Sequence, residues 1–299
     1  MTATATLAPP ATRPVAPGSS RRRRGRGIRS LPARIALGLV VPVLFIAFWH
    51  LGRELQLELP FGIRMGYLPY PADVAVTLWD FAFGGLRDDA FSTTLWQHLG
   101  ASALRVGAGF GLATLIAVPV GVLMGRFYVM DSLFDPFINL IRPIPATAWV
   151  PLVALLIGIG DQATIFLITL SAFFPIVLGA ASGTRQVPER LVEAARMLGT
   201  TRAAVLWRVM VPAAAPAIVN GLRVGLGLAW VILVLGESTG VNEGLGATIT
   251  LARDIVRTDL IVAGMIVIGL SGFLSDRLLS LVLRLLVGRR PVFQKGARG

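Results

Sequence analysis

Residues 163–181 read ATIFLITLSAFFPIVLGAA, an uninterrupted run without a single charged side chain. At about 1.5 Å of rise per residue, such a run forms a helix about 28 Å long, close to the thickness of a bilayer's hydrocarbon layer. Working outward, five further predominantly apolar runs of membrane length stand out: Ile35–Leu51 and about Ala101–Met124, Leu133–Ile159, Ala213–Leu235 and Leu260–Val282. Apolar residues make up 55% of the chain and charged ones 15%, and the mean hydropathy is +0.73. A soluble protein of 299 residues would distribute its apolar residues along amphipathic elements instead of gathering them into membrane-length blocks. The sequence therefore predicts an all-α membrane protein with about six spans and excludes a soluble enzyme.

The run Leu133–Ile159 contains Arg142, Pro143, Pro145 and Pro151. Proline frees backbone carbonyls that hydrocarbon cannot satisfy, so this span is expected to line a cavity or pack against protein. Residues 1–33 are rich in Ala, Pro, Thr and Arg without apolar period and are expected to form a disordered cytoplasmic tail. The run after it exceeds a signal peptide's apolar stretch and lacks a small-x-small cleavage site, so it is expected to remain as an anchor. Residues 34–288 are the expected transmembrane domain and 289–299 a second basic tail.

The formal net charge is +12, and Arg21–Arg24 with Arg26 could suggest a nucleic-acid arm. Placed directly before an apolar run, these residues read better as a topology anchor facing anionic lipid. Arg126, Arg185, Arg190, Arg196, Arg202, Arg208, Arg289, Arg290, Lys295 and Arg298 fall in the segments on the same side as the N-terminus. Residues 52–98, by contrast, hold three arginines against six carboxylates. The positive-inside rule thus puts both termini in the cytoplasm. On the outer side, Pro71 followed by Val74, Leu78 and Phe81 predicts a short amphipathic helix.

Between the fourth and fifth spans, residues 185–212 carry Pro188-Glu189-Arg190-Leu191-Val192-Glu193-Ala194-Ala195-Arg196-Met197-Leu198-Gly199 and then Thr200-Thr201. Local rules read two short helices: Pro188 in a first turn, Gly199 as a left-handed stop, Thr200 or Thr201 as the next N-cap, and Pro212 as the end. Glu193-Ala194-Ala195, then Gly199, then Val209-Met210-Val211-Pro212 has the spacing of Glu-Ala-Ala, three residues, Gly, nine residues, Ile-x-Leu-Pro. That pattern resembles the cytoplasmic signature of permease subunits in binding-protein-dependent ABC importers, with Val in place of Ile and Leu. HLGASALRVGAGFG (98–111), RPIPATAWVP (142–151), GLRVGLGLAW (221–230), Glu237, Gly244-Leu245-Gly246 and Asp276 are similar to the branch serving sulfonate, taurine and nitrate.

The resemblance implies a type I ABC importer permease fold in the bacterial cytoplasmic membrane, working as a homodimer. It also implies a dimer of cytoplasmic ATPase subunits that bind ATP and Mg, and an extracytoplasmic solute-binding protein. Glu193, Ala194, Ala195, Gly199 and Pro212 would then form the ATPase-coupling segment. The chain itself is expected to hold no cofactor: its only lysine is Lys295, so it has no phosphate-cradling Gly-x-x-x-x-Gly-Lys-Ser/Thr motif. Without cysteine, and with only His50 and His98, it offers neither a thiolate nor a zinc cluster, and both histidines are expected at membrane interfaces.

Candidates for the translocation path are Arg142, Pro145, Trp149, Asn220, Arg223, Trp230 and Glu237, which add polar, aromatic or helix-breaking character to aliphatic runs. Arg105 and Arg223 read first as snorkelling side chains. Pairing with carbonyls or carboxylates explains the intramembrane arginines as well as attraction of an anion does. The alternative function is an ion-coupled secondary transporter, which would place a carboxylate deep in the membrane. The candidate carboxylates, Asp131, Asp135, Asp161, Glu237 and Asp276, all fall near predicted span ends.

Overall fold

The computed structural model describes residues 31–287 except 88. Chain contacts divide the protein into residues 1–48 and 49–299. The first helix, α1 (Leu31–Glu54), begins in the former. The two expected basic tails lie outside the described residues, except that Leu31 to Ala33 already open α1.

In the second unit a short hairpin, β1 (Glu58–Leu59) paired with β2 (Ile63–Arg64), leads to α2 (Pro71–Phe83). Pro71 occupies the first turn of α2 as expected. Then follow α3 (Leu95–Arg126), α4 (Tyr128–Ile141), the two-turn α5 (Val150–Leu156) and α6 (Asp161–Arg185). After them come α7 (Glu189–Met197), α8 (Arg202–Val205), α9 (Val211–Glu237), α10 (Leu245–Asp254) and α11 (Thr258–Val287). Five helices among the described residues are long and apolar enough to cross a bilayer, and the bent pair α4–α5 makes a sixth if it counts as one span.

The centre is a three-helix stack of α3, α6 and α9, held close by small residues. A β-carbon on Gly121 of α3 would lie 2.4 Å from the carbonyl oxygen of Val177. One on Gly221 of α9 would lie 2.7 Å from the carbonyl oxygen of Pro175. Backbones that approach this closely exclude any larger side chain, which is how membrane helices pack where lipid removes the hydrophobic drive between them. Gly109 and Gly121 meet Ile168 and Val177, so α3 and α6 run parallel; Gly225 and Gly236 meet Ala172 and Thr164, so α9 runs back. The α7–α8 segment marks one end of this bundle and α10 the other.

Two sequence expectations need correction. Leu133–Ile159 is not one helix: α4 and the segment Ala146–Leu156 meet at an angle of 83°. Pro143 and Pro145 remove the N–H donors on either side of Ile144, and Pro145 takes an extended conformation (ψ 141°), so the helical ladder cannot pass. Pro212 does not end a helix either. A π-helical turn at Leu206–Met210 widens the ladder just before it, and Pro212 then sits in the first turn of α9, so the helical run continues from Arg202 to Glu237.

Candidate functional site

Three groups of residues stand out: the α7–α8 segment, an open cleft beside α9, and a buried polar cluster at the α10 end. The α7–α8 segment has its own small core, with Val192, Val205 and Met210 buried and Ala195 packed against them. Its turn is a Schellman closure. The Gly199 N–H donates to the Arg196 carbonyl at 2.9 Å and the Thr200 N–H to the Ala195 carbonyl at 3.2 Å. Gly199 itself has φ +77°, the left-handed value anticipated from its position. Of the two threonines proposed as the N-cap, Thr201 takes the role, accepting from the Ala204 N–H at 3.4 Å. Pro188 lies one residue before α7 instead of inside its first turn. The outward side of the turn carries Met197 and Leu198, 87% and 86% exposed, with Glu193, Ala194 and Gly199 also exposed beside them. An apolar tip this exposed on a folded hairpin is a surface built to be covered.

The break between α4 and α5 opens a cleft of about 450 Å³ against α6 and α9. Arg142, Pro145 and Thr147 line one side, Ser171 and Phe174 a second, and Val224, Leu228 and Val231 the third. Cavity lining is one of the two roles the proline-rich run predicted. Asn220 is exposed on the same stripe of α9 as Val224, Leu228 and Val231, at helical spacing. Arg223 borders that stripe and forms a two-bond fork with Asp276 of α11, with Nε to Oδ1 and Nη2 to Oδ2 both at 2.7 Å. Asp276 therefore does not sit at a span end, because α11 extends five residues beyond the predicted Val282. Trp149 is half-buried, and its indole N–H has no acceptor among the described residues. Trp230 is buried, its indole N–H donating to Ser275 Oγ at 2.9 Å.

At the α10 end, Arg105 does not snorkel. Its side chain is 7% exposed, and its Nη1 donates to Glu237 Oε1 and to the Glu243 carbonyl, both at 2.6 Å, while Nε reaches Asp161 Oδ1 at 2.8 Å. Glu237, fully buried, also accepts from Ser102 Oγ at 2.7 Å and from the Gly246 N–H at 2.8 Å. Gly244, at φ +147°, lies so close that a β-carbon would fall 2.4 Å from the Glu237 carboxyl. Its N–H donates to Nδ1 of His98 at 3.1 Å, so this histidine is a hydrogen-bonding partner of the loop. The buried Arg105–Glu237 ion pair, with both carboxylate oxygens accepting hydrogen bonds, ties α3, α9 and α10 together, and the exposed Asp161 adds α6. Sequence reasoning had singled out Arg105, Glu237 and Gly244-Leu245-Gly246 separately; no spacing rule could reveal that they meet.

Residues 117–290 match the family described as "Binding-protein-dependent transport system inner membrane component". The chain is 37% identical to the taurine transport system permease protein TauC of Escherichia coli, over 86% of this chain and 90% of that one. It is 36% identical to a putative ABC transporter permease protein of Methanocaldococcus jannaschii, covering 85% and 92%. It is 32% identical to the nitrate import permease protein NrtB of a Synechocystis strain, covering 76% and 82%. Its fold is similar to that of the MetNI methionine ABC transporter in an inward-facing conformation, with a TM-score of 0.51 at 22% identity over 66% of this chain and 98% of that one. With its broken third span, its glycine-packed helices and its closed Glu-Ala-Ala turn, the chain belongs to the inner-membrane permease family of binding-protein-dependent ABC importers.

Proposed function

We propose that this permease imports a small solute with an oxyanion head group, of the sulfonate, taurine or nitrate kind, by alternating access driven by a separate ATPase subunit. It works in the bacterial cytoplasmic membrane as a pair with a second copy of itself and receives solute from an extracytoplasmic binding protein. Two ATPase subunits bind ATP and Mg and close upon one another. The observation that carries this reading is the α7–α8 hairpin, a rigid element with its own core and an exposed Met197-Leu198 tip. Seated in a partner's groove, such a hairpin transmits displacement as a rigid body because its turn is closed by hydrogen bonds and not by a flexible linker. Its last residues run without interruption into α9, which borders the cleft, so movement of the tip reaches the path directly. The similarity to a taurine permease, TauC, and a nitrate permease, NrtB, supports the solute class.

Proteoliposomes holding the permease, its ATPase and its binding protein test the reading. ATP should drive uptake of labelled taurine, methanesulfonate or nitrate, and uptake should vanish without the ATPase. Glu193→Arg, on the exposed face of α7, should abolish co-purification of the ATPase while leaving the permease folded. Uptake driven by an ion gradient without the ATPase would instead establish the secondary-transporter reading.

A further inference from the structure

Two arginines in the spans of this chain are treated very differently by the fold. Arg105 is buried and all of its guanidinium nitrogens are engaged, with Asp161, Glu237 and the Glu243 carbonyl. Arg223 uses only one edge of its guanidinium. Nε and Nη2 go to Asp276, and the remaining N–H donors have no acceptor among the described residues. Its side chain is 50% exposed, against 7% for Arg105.

Depth makes this exposure informative. Arg223 lies about 18 Å along α9 from its first residue, and Asp276 about 16 Å from the last residue of α11. With about three helical turns or more separating the pair from either end of α9 and α11, neither side chain reaches a helix end by snorkelling. Facing hydrocarbon, the guanidinium would cost several kcal/mol even when paired. The side it borders is the open stripe of α9 formed by Asn220, Val224, Leu228 and Val231, of which the last three line the cleft containing Arg142.

We propose that Arg223 is a solute-contacting residue of the translocation path, offering its unused N–H edge to the oxyanion head group, and that Asp276 keeps this contact weak. The proposal rests on the anion-import reading above. In the absence of solute, Asp276 neutralises Arg223 and makes a cation in mid-span tolerable. When an oxyanion arrives, the free edge of the guanidinium binds it while the neighbouring carboxylate repels it, so the site holds the solute without trapping it. A transport site requires this balance between entry and exit. Arg142, for which no ion pair exists among the described residues, lines the cleft itself, one residue-stripe away from Arg223.

The test uses the reconstituted complex with its ATPase and binding protein, with labelled taurine, methanesulfonate and nitrate as probes. The parent complex is assayed first. If none of the three anions is taken up, the anion reading itself fails, independently of any variant. Given anion uptake, the double variant Arg223→Met, Asp276→Leu replaces the pair by apolar side chains of similar size. A purely structural pair is dispensable in this way, whereas a solute contact is not. We expect uptake to fall roughly tenfold or more, the loss of about one charge-assisted hydrogen bond, with normal assembly on size exclusion and normal ATPase co-purification. Asp276→Asn should do the opposite to affinity, lowering KM and lowering the maximal rate as the solute is released more slowly. Parental uptake by the double variant, or an Asp276→Asn variant with unchanged KM, would overturn the proposal. If the double variant fails to assemble, Arg223→Lys decides: it keeps the pair but not the fork, and retention of parental KM would likewise overturn it.

Discussion

At Gly199 the cost of a side chain is conformational and nothing else. The residue sits at φ +77°, and a β-carbon there would meet no atom within 4 Å. An L-residue in this region loses about 1 kcal/mol, and a β-branched one more, while Asn is tolerated. Gly199→Val should therefore leave thermal unfolding of the purified permease nearly unchanged but re-aim the Met197-Leu198 tip, abolishing ATPase co-purification and ATP-dependent uptake. Gly199→Asn should keep both. If Gly199→Val co-purifies like the parent, the closed turn is not what positions the tip. This glycine was legible from the chain because a helix followed by Gly and a Ser/Thr cap is a local pattern. Arg105 was not, since its partners Asp161 and Glu237 lie 56 and 132 positions away and only packing brings them together.

Among the elements, those whose signals are local behaved as read: α2 begins at Pro71, and the long apolar runs form helices. The exceptions arise where proline meets its neighbours, since Pro143 and Pro145 break a span whereas Pro212 is absorbed by a π-helical turn. Composition does not distinguish those outcomes; the ladder register around each proline does. The loop from Gly84 to Thr94, which joins α2 to α3, is pinned by Phe91 against the core and by hydrogen bonds to one carboxylate. Asp80 Oδ2 accepts from Ser92 Oγ at 2.6 Å, and Oδ1 accepts from the N–H groups of Leu86 and Arg87 at 2.9 and 3.0 Å. These bonds, the Ser92 hydroxyl first, hold the Asp80 carboxyl below its ordinary range. A depressed value means the carboxylate form is favoured in the folded state. Its stabilisation is present above the ordinary aspartate pKa of about 3.9 and is lost as pH falls through the folded value. Asp80→Asn should accordingly lower the melting temperature by a constant amount between about pH 5 and pH 8. That difference should shrink below about pH 4. A difference independent of pH down to the acid limit would show that the carboxylate's charge is not what the loop needs.

Over the whole molecule, charge is distributed by end. At the α10 end, Arg64, Arg87, Arg105, Arg253 and Arg257 each pair with a carboxylate, while Arg53 stacks on Tyr70 without an ion pair among the described residues. At the α7 end, Arg185 pairs with Asp131 and Asp135, but Arg126, Arg190, Arg196, Arg202 and Arg208 have no ion pair among the described residues. The positive-inside rule counts arginines close to span ends on either side, paired or not, and the α7 end carries Arg126, Arg185, Arg190, Arg196, Arg202 and Arg208. The proposed function requires the same orientation: if an ATPase covers the exposed Met197-Leu198 tip, that tip faces the cytoplasm. The chain has no cysteine, so single thiols report topology without background. Ala194→Cys, exposed on α7, and Asn242→Cys, exposed between α9 and α10, probe the two ends. Neither side chain makes a hydrogen bond in the described network, so both variants should fold. A membrane-impermeant maleimide applied to intact cells should label Asn242→Cys and spare Ala194→Cys until the membrane is opened. Labelling of Ala194→Cys in intact cells would invert the molecule and remove the coupling role of its hairpin. Labelling of both would mean that the segment between them crosses the bilayer an even number of times, which the single traverse of α9 cannot satisfy.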